Sequence, residues 1–329
     1  MLLLLFATTP LLGQLKYKLT GEGGIAQAAT SVNNAQHFLL AGFEGQLKLA
    51  HSTRKYAWRL QTELQPEFFF QTVNITALVW NVKGQYFRKH RKFSWGIKTD
   101  YRLNRLMVDV LDLNYNVFLG GIQSAWFYRP GASIALNLEY AYRDVDASIE
   151  NTLKAFLFSA KWLRLFTLST KISAGIYGEN FFIDGVAAEG SNLRENNGWR
   201  FGPELTLDYK RKFVLNATYR LISHQSQILD EATFEHWIRL LFGKILSPKW
   251  SLFFLTDFYL RDNTVQADTN PNLLYSPLSN QNRFYVKLDQ ELTRKTDVFL
   301  KIGYTSENLV YEELTFSGWR GTVGVEIRN

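Results

Sequence analysis

Phe93-Ser94-Trp95-Gly96-Ile97-Lys98-Thr99-Asp100-Tyr101-Arg102-Leu103-Asn104 is the stretch on which the fold turns. Its odd positions are apolar or aromatic apart from Thr99, and its even positions are small, polar or charged. Successive side chains of an extended chain point to opposite sides. The segment therefore predicts a strand with one greasy face and one charged face.

The same two-residue beat recurs along the chain. Ile134, Leu136, Leu138, Tyr140 and Tyr142 alternate with Ala135, Asn137, Glu139, Ala141 and Arg143. Trp199, Phe201, Pro203, Leu205, Leu207 and Tyr209 alternate with Arg200, Gly202, Glu204, Thr206 and Asp208. Phe213, Leu215, Ala217, Tyr219 and Leu221 oppose Asn216, Thr218 and Arg220, and Val298, Leu300, Ile302 and Tyr304 oppose Lys301, Gly303 and Thr305. Turn-forming residues divide the chain into about sixteen segments: 14–28, 37–51, 56–67, 74–88, 93–106, 112–127, 132–144, 152–163, 167–180, 199–210, 213–226, 233–246, 250–262, 281–293, 297–307 and 314–328. Fourteen strands are the alternative count, because 67–80 reads either way.

Connections alternate in length. The short ones are Ser-Thr-Arg-Lys at 52–55, Lys-His-Arg-Lys at 89–92, Tyr-Arg-Pro-Gly at 128–131, Leu163–Arg164, Arg211–Lys212, Ser-Pro-Lys at 247–249 and Thr-Arg-Lys at 293–295. Longer polar loops lie between them, notably 181–198 and 263–280. No linker or composition break divides the chain, so 14–329 reads as one domain. Met1 to Gly13, MLLLLFATTPLLG, is apolar but too short to span a bilayer and reads as a secretory signal peptide cut near Gly13 or Gln14.

Composition narrows the class. Beyond the leader, no apolar run approaches the roughly 20 residues of a membrane helix, and aromatics at 15% argue against disorder. With no cysteine, disulfides, thiolate nucleophiles and Cys-ligated metals are excluded. A soluble sandwich would need a second layer over each greasy face. Sixteen consecutive two-faced strands, each long enough to cross about 25 Å of hydrocarbon when tilted, suit a closed membrane barrel instead. Tyr56, Trp58, Tyr86, Phe93, Trp126, Trp162, Trp199, Trp250 and Trp319 fall near segment ends, as interfacial aromatic girdles do.

In this pattern the chain resembles the bacterial outer-membrane β-barrel proteins, and the porin-like group in particular. The resemblance is architectural and covers about residues 14–329. It implies an all-β, closed antiparallel transmembrane barrel in outer-membrane lipid, with short turns and both termini in the periplasm and long loops outside. The last segment, with Trp319, Gly321, Val323, Val325 and Ile327 alternating, resembles the strand read by barrel-assembly machinery, although it ends in Asn329 and not in an aromatic residue.

A barrel of this size leaves an aqueous interior unless something fills it. By parity the candidate lumen-lining residues are Lys98, Asp100, Arg102, Glu139, Arg143, Lys171, Arg200, Glu204, Arg220, Arg239, Asp257, Arg261, Arg283, Lys287, Lys301 and Arg320. They pair across strands and stiffen the wall, or they screen solutes by charge and size. With Lys48, Arg59 and Lys83 and the acids Glu44, Glu63, Glu179, Asp208, Asp289, Glu291 and Glu326 also inward by parity, bases outnumber acids slightly, fifteen to eleven, which predicts weak anion preference. Loops 181–198 and 263–280 are long enough to fold in and narrow the pore.

Other chemistry fades on inspection. His224-Gln225-Ser226 resembles the His-x-Ser pair of outer-membrane phospholipase A, but Ile238 stands where that family's orienting Asn belongs, between Trp237 and Arg239. The imidazole would also face the lumen and not the lipid. His37, His51, His90, His224 and His236 are scattered, so no metal site is indicated. Gly21-Glu22-Gly23-Gly24 is followed by no Lys-Ser/Thr and reads as a bend in the first strand. No cofactor and no enzyme activity are expected.

The formal charge of +7 is polarised. The short connections and their borders hold Arg54, Lys55, Arg88, Lys89, Arg91, Lys92, Arg129, Arg164, Lys210, Arg211, Lys212, Lys249, Arg294 and Lys295, which are fourteen of the 37 basic residues, with none of the 30 acids. Asp109, Asp144, Asp146, Glu150, Asp184, Glu189, Glu195, Asp230, Glu231, Asp268, Glu312 and Glu313 gather at the other end. Such a charge does not describe a nucleic-acid-binding surface. The basic turns suit an acidic periplasmic partner, so a non-conducting anchor or accessory barrel for surface-protein export stands as the alternative to a diffusion pore.

Overall fold

A computed structural model describes residues 14–28, 36–70, 75–108, 111–146, 151–185, 195–229, 231–261, 273, 275, 282–308 and 315–329. The predicted signal peptide and most loop acids lie outside the described residues. The first eight strands are β1 (Gln14–Ala28), β2 (Gln36–Ser52), β3 (Tyr56–Phe70), β4 (Ile75–Lys89), β5 (Phe93–Val108), β6 (Leu111–Arg129), β7 (Ala132–Asp146) and β8 (Asn151–Thr167). The second eight are β9 (Thr170–Gly185), β10 (Glu195–Lys210), β11 (Val214–Ser226), β12 (Thr233–Ser247), β13 (Trp250–Arg261), β14 (Asn282–Thr293), β15 (Thr296–Asn308) and β16 (Thr315–Arg328). Each pairs antiparallel with its sequence neighbours, and β16 pairs with β1, closing the barrel.

Closure satisfies every ladder without an edge strand, the condition a sheet must meet in hydrocarbon. No helix among the described residues is long and apolar enough to cross a membrane. The outward faces carry large exposed apolar side chains, among them Leu39, Phe43, Ile97, Ile122, Leu138, Phe156, Leu205, Ile302 and Val323. In water such a belt would drive aggregation, whereas lipid covers it without cost. Outward aromatics band both ends. Tyr86 and Trp95 meet near the short turns, where Trp162 Nε1 also donates to Tyr128 Oη at 2.6 Å. Phe284, Tyr304 and Trp319 cluster near the long loops.

Strand ends move from the sequence reading in three places. The turn expected at Leu163–Arg164 lies at residues 168–169. Leu-Arg offers no turn chemistry, whereas Thr167 Oγ1 accepts from Ser169 N at 3.1 Å and closes the tighter turn. Arg164 remains in β8 with its guanidinium 5.0 Å from the Phe166 ring centre. Loop 181–198 shrinks because β9 runs to Gly185 and β10 starts at Glu195, which also sets Trp199 deeper in the wall than a strand start. The ambiguous stretch 67–80 resolves into the end of β3 and the start of β4, giving sixteen strands.

The glycines at 21–24 stay in register with both neighbouring strands and make no bulge. Gly24 allows the seam to close, since a Cβ there would lie 1.9 Å from the Gly321 carbonyl oxygen.

Candidate functional site: the charged lumen and its constriction

All sixteen candidate lumen residues stand on ladder positions opposite the exposed apolar set. Many are paired, often with a strand that is not their neighbour. Lys98 on β5 reaches Glu139 on β7 at 2.7 Å, across Gly121 of β6, which is in register with both. A Cβ on Gly121 would sit 2.7 Å from Glu139 Cγ, so the bridge needs a bare backbone beneath it. The same device recurs where Lys161 crosses Gly175 to Glu204.

Glu204 also accepts from Arg220 Nε at 2.7 Å, and the Arg220 guanidinium lies 4.5 Å from the Tyr177 ring centre and 4.7 Å from that of Trp237. Arg239 Nη2 meets Asp257 at 2.8 Å, and Lys171 lies 3.7 Å from Asp208. Lys161, Lys171, Glu204, Asp208, Arg220, Trp237 and Arg239 line a cavity of about 340 Å³ on the inner face. At the seam, Glu22 takes Lys301 at 2.9 Å and Arg320 at 2.8 Å, and Arg320 also meets Glu67 at 2.9 Å. Lys287 contacts Glu326 and Asp289 at 3.3 and 3.0 Å, while Asp100 pairs with Lys83 at 3.3 Å. Arg102 donates to Asn104 at 2.9 Å. Arg143 is buried on β7, and Arg283 stands opposite Asp257 on β14.

Towards the long loops, a buried cluster projects into the lumen. Arg200, 1% exposed, is held by Glu179 on one side and Glu235 on the other: Nη1 donates to Glu179 Oε2 at 2.6 Å and Nη2 to Glu235 Oε2 at 2.5 Å. Register brings these groups together, since Glu179, Arg200 and His224 lie side by side on β9, β10 and β11. Tyr275, from the β13–β14 connection, completes the cluster. Its hydroxyl donates to Glu179 Oε1 at 2.5 Å and accepts from Arg200 Nη1 at 2.9 Å. Burial, with the Glu179 carboxylate second among the upward influences, pushes the Tyr275 hydroxyl well above its ordinary pKa, so it stays a donor.

The segment is fastened at two further points. Asn196 Nδ2 donates to the Leu273 carbonyl at 2.9 Å, and Arg261 donates to the Tyr275 carbonyl. Leu273 and Tyr275 pack against Ala141, Leu153, Ala155, Phe181, Ile183 and Ile228. Of the two loops long enough to fold in, the 263–280 loop thus places two described residues inside the barrel. The inward apolar residues beneath them were not singled out in the sequence reading. Their signal is a lapse in alternation, because Ala155 to Phe158 and Phe181 to Ile183 are apolar on both faces.

His224 belongs to this cluster. Its Nδ1 lies 2.7 Å from Glu235 Oε1, so the group that orients the imidazole is Glu235 and not residue 238. Ile238 faces outward beside Tyr219 and Phe258. His224 Nε2 and Ser226 Oγ are buried and have no hydrogen-bond partner among the described residues. The imidazole is edge-on to Phe181 and Tyr275. The His-x-Ser pair is thus enclosed and its two members are not hydrogen-bonded to each other.

No known protein-family profile matches the chain, and no curated protein matches its sequence. Among solved structures it is similar to OccAB4 of Acinetobacter baumannii, with 7% identity over 98% of this chain and 100% of that one and a TM-score of 0.44. It is also similar to the siderophore receptor PirA of Pseudomonas aeruginosa, at 8% identity over 98% and 82% of the two chains, TM-score 0.38. The CymD monoaromatic hydrocarbon channel gives 10% identity over 96% and 89%, TM-score 0.38. These likenesses concern fold alone. The architecture is that of bacterial outer-membrane β-barrels: closed, antiparallel, apolar outside and polar within.

Proposed function

We propose that this barrel is an outer-membrane channel through which small hydrophilic solutes diffuse passively, with short turns and termini on the periplasmic side. The observation that carries the reading is the inner wall: charged groups line it, and several of them, with Leu163 and Trp237, border an open cavity. Solutes pass by charge and size, with no cofactor and no covalent step. Lys83, Lys171 and Arg239 are the more exposed partners of their ion pairs. That imbalance leaves a modest positive field and supports weak anion preference.

One observation favours the alternative, a non-conducting barrel that anchors or assists surface-protein export. Leu273 is 0% and Tyr275 2% exposed, so the described part of this loop is fully seated in the lumen. Conductance of the refolded protein in planar bilayers separates the readings. A pore gives steps whose reversal potential in a salt gradient lies slightly towards the anion value. Silence from both the wild type and a chain lacking 264–272 and 276–280 with Tyr275→Ala would leave the anchor as the better account.

A further inference from the structure

The fourteen bases at the short-turn end differ from the bases of the lumen in having no counter-charge. All fourteen are exposed, and none makes an ion pair among the described residues. We infer that this rim is a collar for anionic phospholipid headgroups, which holds the phosphates of the leaflet at the short-turn end against the aromatic belt. The inference does not rest on the channel reading.

Three observations favour lipid over a protein partner. First, the bases are spread around the whole circumference. Strands follow sequence order around the barrel, so the short turns recur at every second strand, and each has a base in it or within five residues of it. Sixteen strands at ~4.8 Å spacing, with tilt, give a perimeter of roughly 100 Å. A standard protein interface covers about 800 Å² per partner, a sector of such a rim. What surrounds a barrel on every side is lipid.

Second, some of the bases lie on the lipid-facing wall beside aromatics. Arg88 is outward on β4, in register with Tyr56 on one side and Trp95 on the other. Arg164 lies over outward Phe166, and exposed Lys244, which is not among the fourteen, stands opposite Leu252 on the outward row of β12 and β13. Indole and phenol rings settle at headgroup level, which places these bases at the height of the phosphates. Third, the two ends differ in their acids. No acid stands in the short turns, whereas at the long-loop end exposed Asp184, Glu195 and Glu231 accompany the exposed bases Arg105 and Lys154. General solubility would not require this asymmetry.

The test uses the outward tryptophans as reporters. Wild-type protein is placed in vesicles of mixed phosphatidylcholine and phosphatidylglycerol, with one or the other brominated, and quenching of Trp58, Trp95, Trp126, Trp162 and Trp250 is compared. The expected result at low salt is an about fivefold preference for phosphatidylglycerol, the factor that ~1 kcal/mol per base near an anionic surface supplies. At about 1 M salt, where the Debye length is ~3 Å, the preference falls towards unity. Arg88→Gln with Arg91→Gln and Lys92→Gln lowers it about twofold or more at low salt. The wild-type salt series needs no variant, so misfolding of the triple change would not spare the inference. Equal quenching by both lipids at low salt, or a preference untouched by salt, overturns it. So does salt-sensitive binding to an acidic periplasmic protein or to cell-wall sacculi without lipid preference.

Discussion

The lumen wall and the short-turn rim are both rich in Arg and Lys, yet the two sets of bases are in different physical situations. Inside, Arg200, Lys98, Lys161, Arg320 and Lys301 each face an acid, in places across an intervening strand. Outside, Arg54, Arg91, Lys92, Lys212 and Arg294 are exposed and make no ion pair among the described residues. A buried charge is costly unless it is paired, so sixteen strands must agree in register for the interior to form. A charge at a water-exposed turn carries no such condition. Folding therefore depends on the first set, and the second set is free to serve contacts outside the barrel.

The largest effect expected from this contrast is at Arg200. Arg200→Met strands Glu179 and Glu235, and the loss from breaking such a buried pair is about 3–5 kcal/mol. Urea unfolding in detergent, followed by heat modifiability on gels, reads it directly. A midpoint equal to wild type would break the distinction between wall and rim.

Tyr275→Ala comes next. It removes two hydrogen bonds and an aromatic filler from the constriction, and single-channel conductance should rise about twofold or more, as expected when a narrow point in a polar pore is widened. The Tyr275 contact has a defined pH range. Its raised pKa means that its stabilising contribution is fully present below the ordinary tyrosine value of about 10 and is lost progressively as pH rises from there through the raised value. Wild-type conductance should therefore stay flat from neutral pH to beyond 10, and a rise already at about 10 would show that Tyr275 is not buried in the folded barrel.

Charge reversal at the cavity is a smaller change. Lys171→Glu with Arg239→Glu should move the reversal potential in a salt gradient from weakly anionic to cationic, because these side chains are 42% and 47% exposed to the lumen. The smallest effect on folding belongs to the rim. Arg91→Gln or Lys212→Gln should shift stability by no more than about 0.5 kcal/mol each. A shift of several times that size would show that rim charges share in folding after all.

The fold was legible in the sequence to within a few residues, because alternation is a local property and sixteen repeats of it leave few architectures. Misplaced ends were those where two faces or two turns competed. Arg164 reads as turn punctuation, but the Thr167 hydroxyl, which accepts from Ser169 N, sets the turn further on, and inward Phe181 and Ile183 read as loop because outward Phe182 between them is apolar too. Which side chains point inward was also readable from parity. Their partners were not, since a slip of register changes every cross-strand contact. Spacing along the chain points to residue 238 as the group that would orient His224 for that reason, while the β11–β12 register supplies Glu235.

By itself, then, the sequence determined a strand-only chain with one apolar and one charged face, and a charge concentrated at the short turns. Those features follow from residue type and spacing along a single extended backbone. Tertiary structure decided which charges cancel, which glycines leave room for a bridge above them, and which loop occupies the lumen. Each of these depends on distances between strands far apart in the chain, and those distances exist only once the barrel closes through β1 and β16.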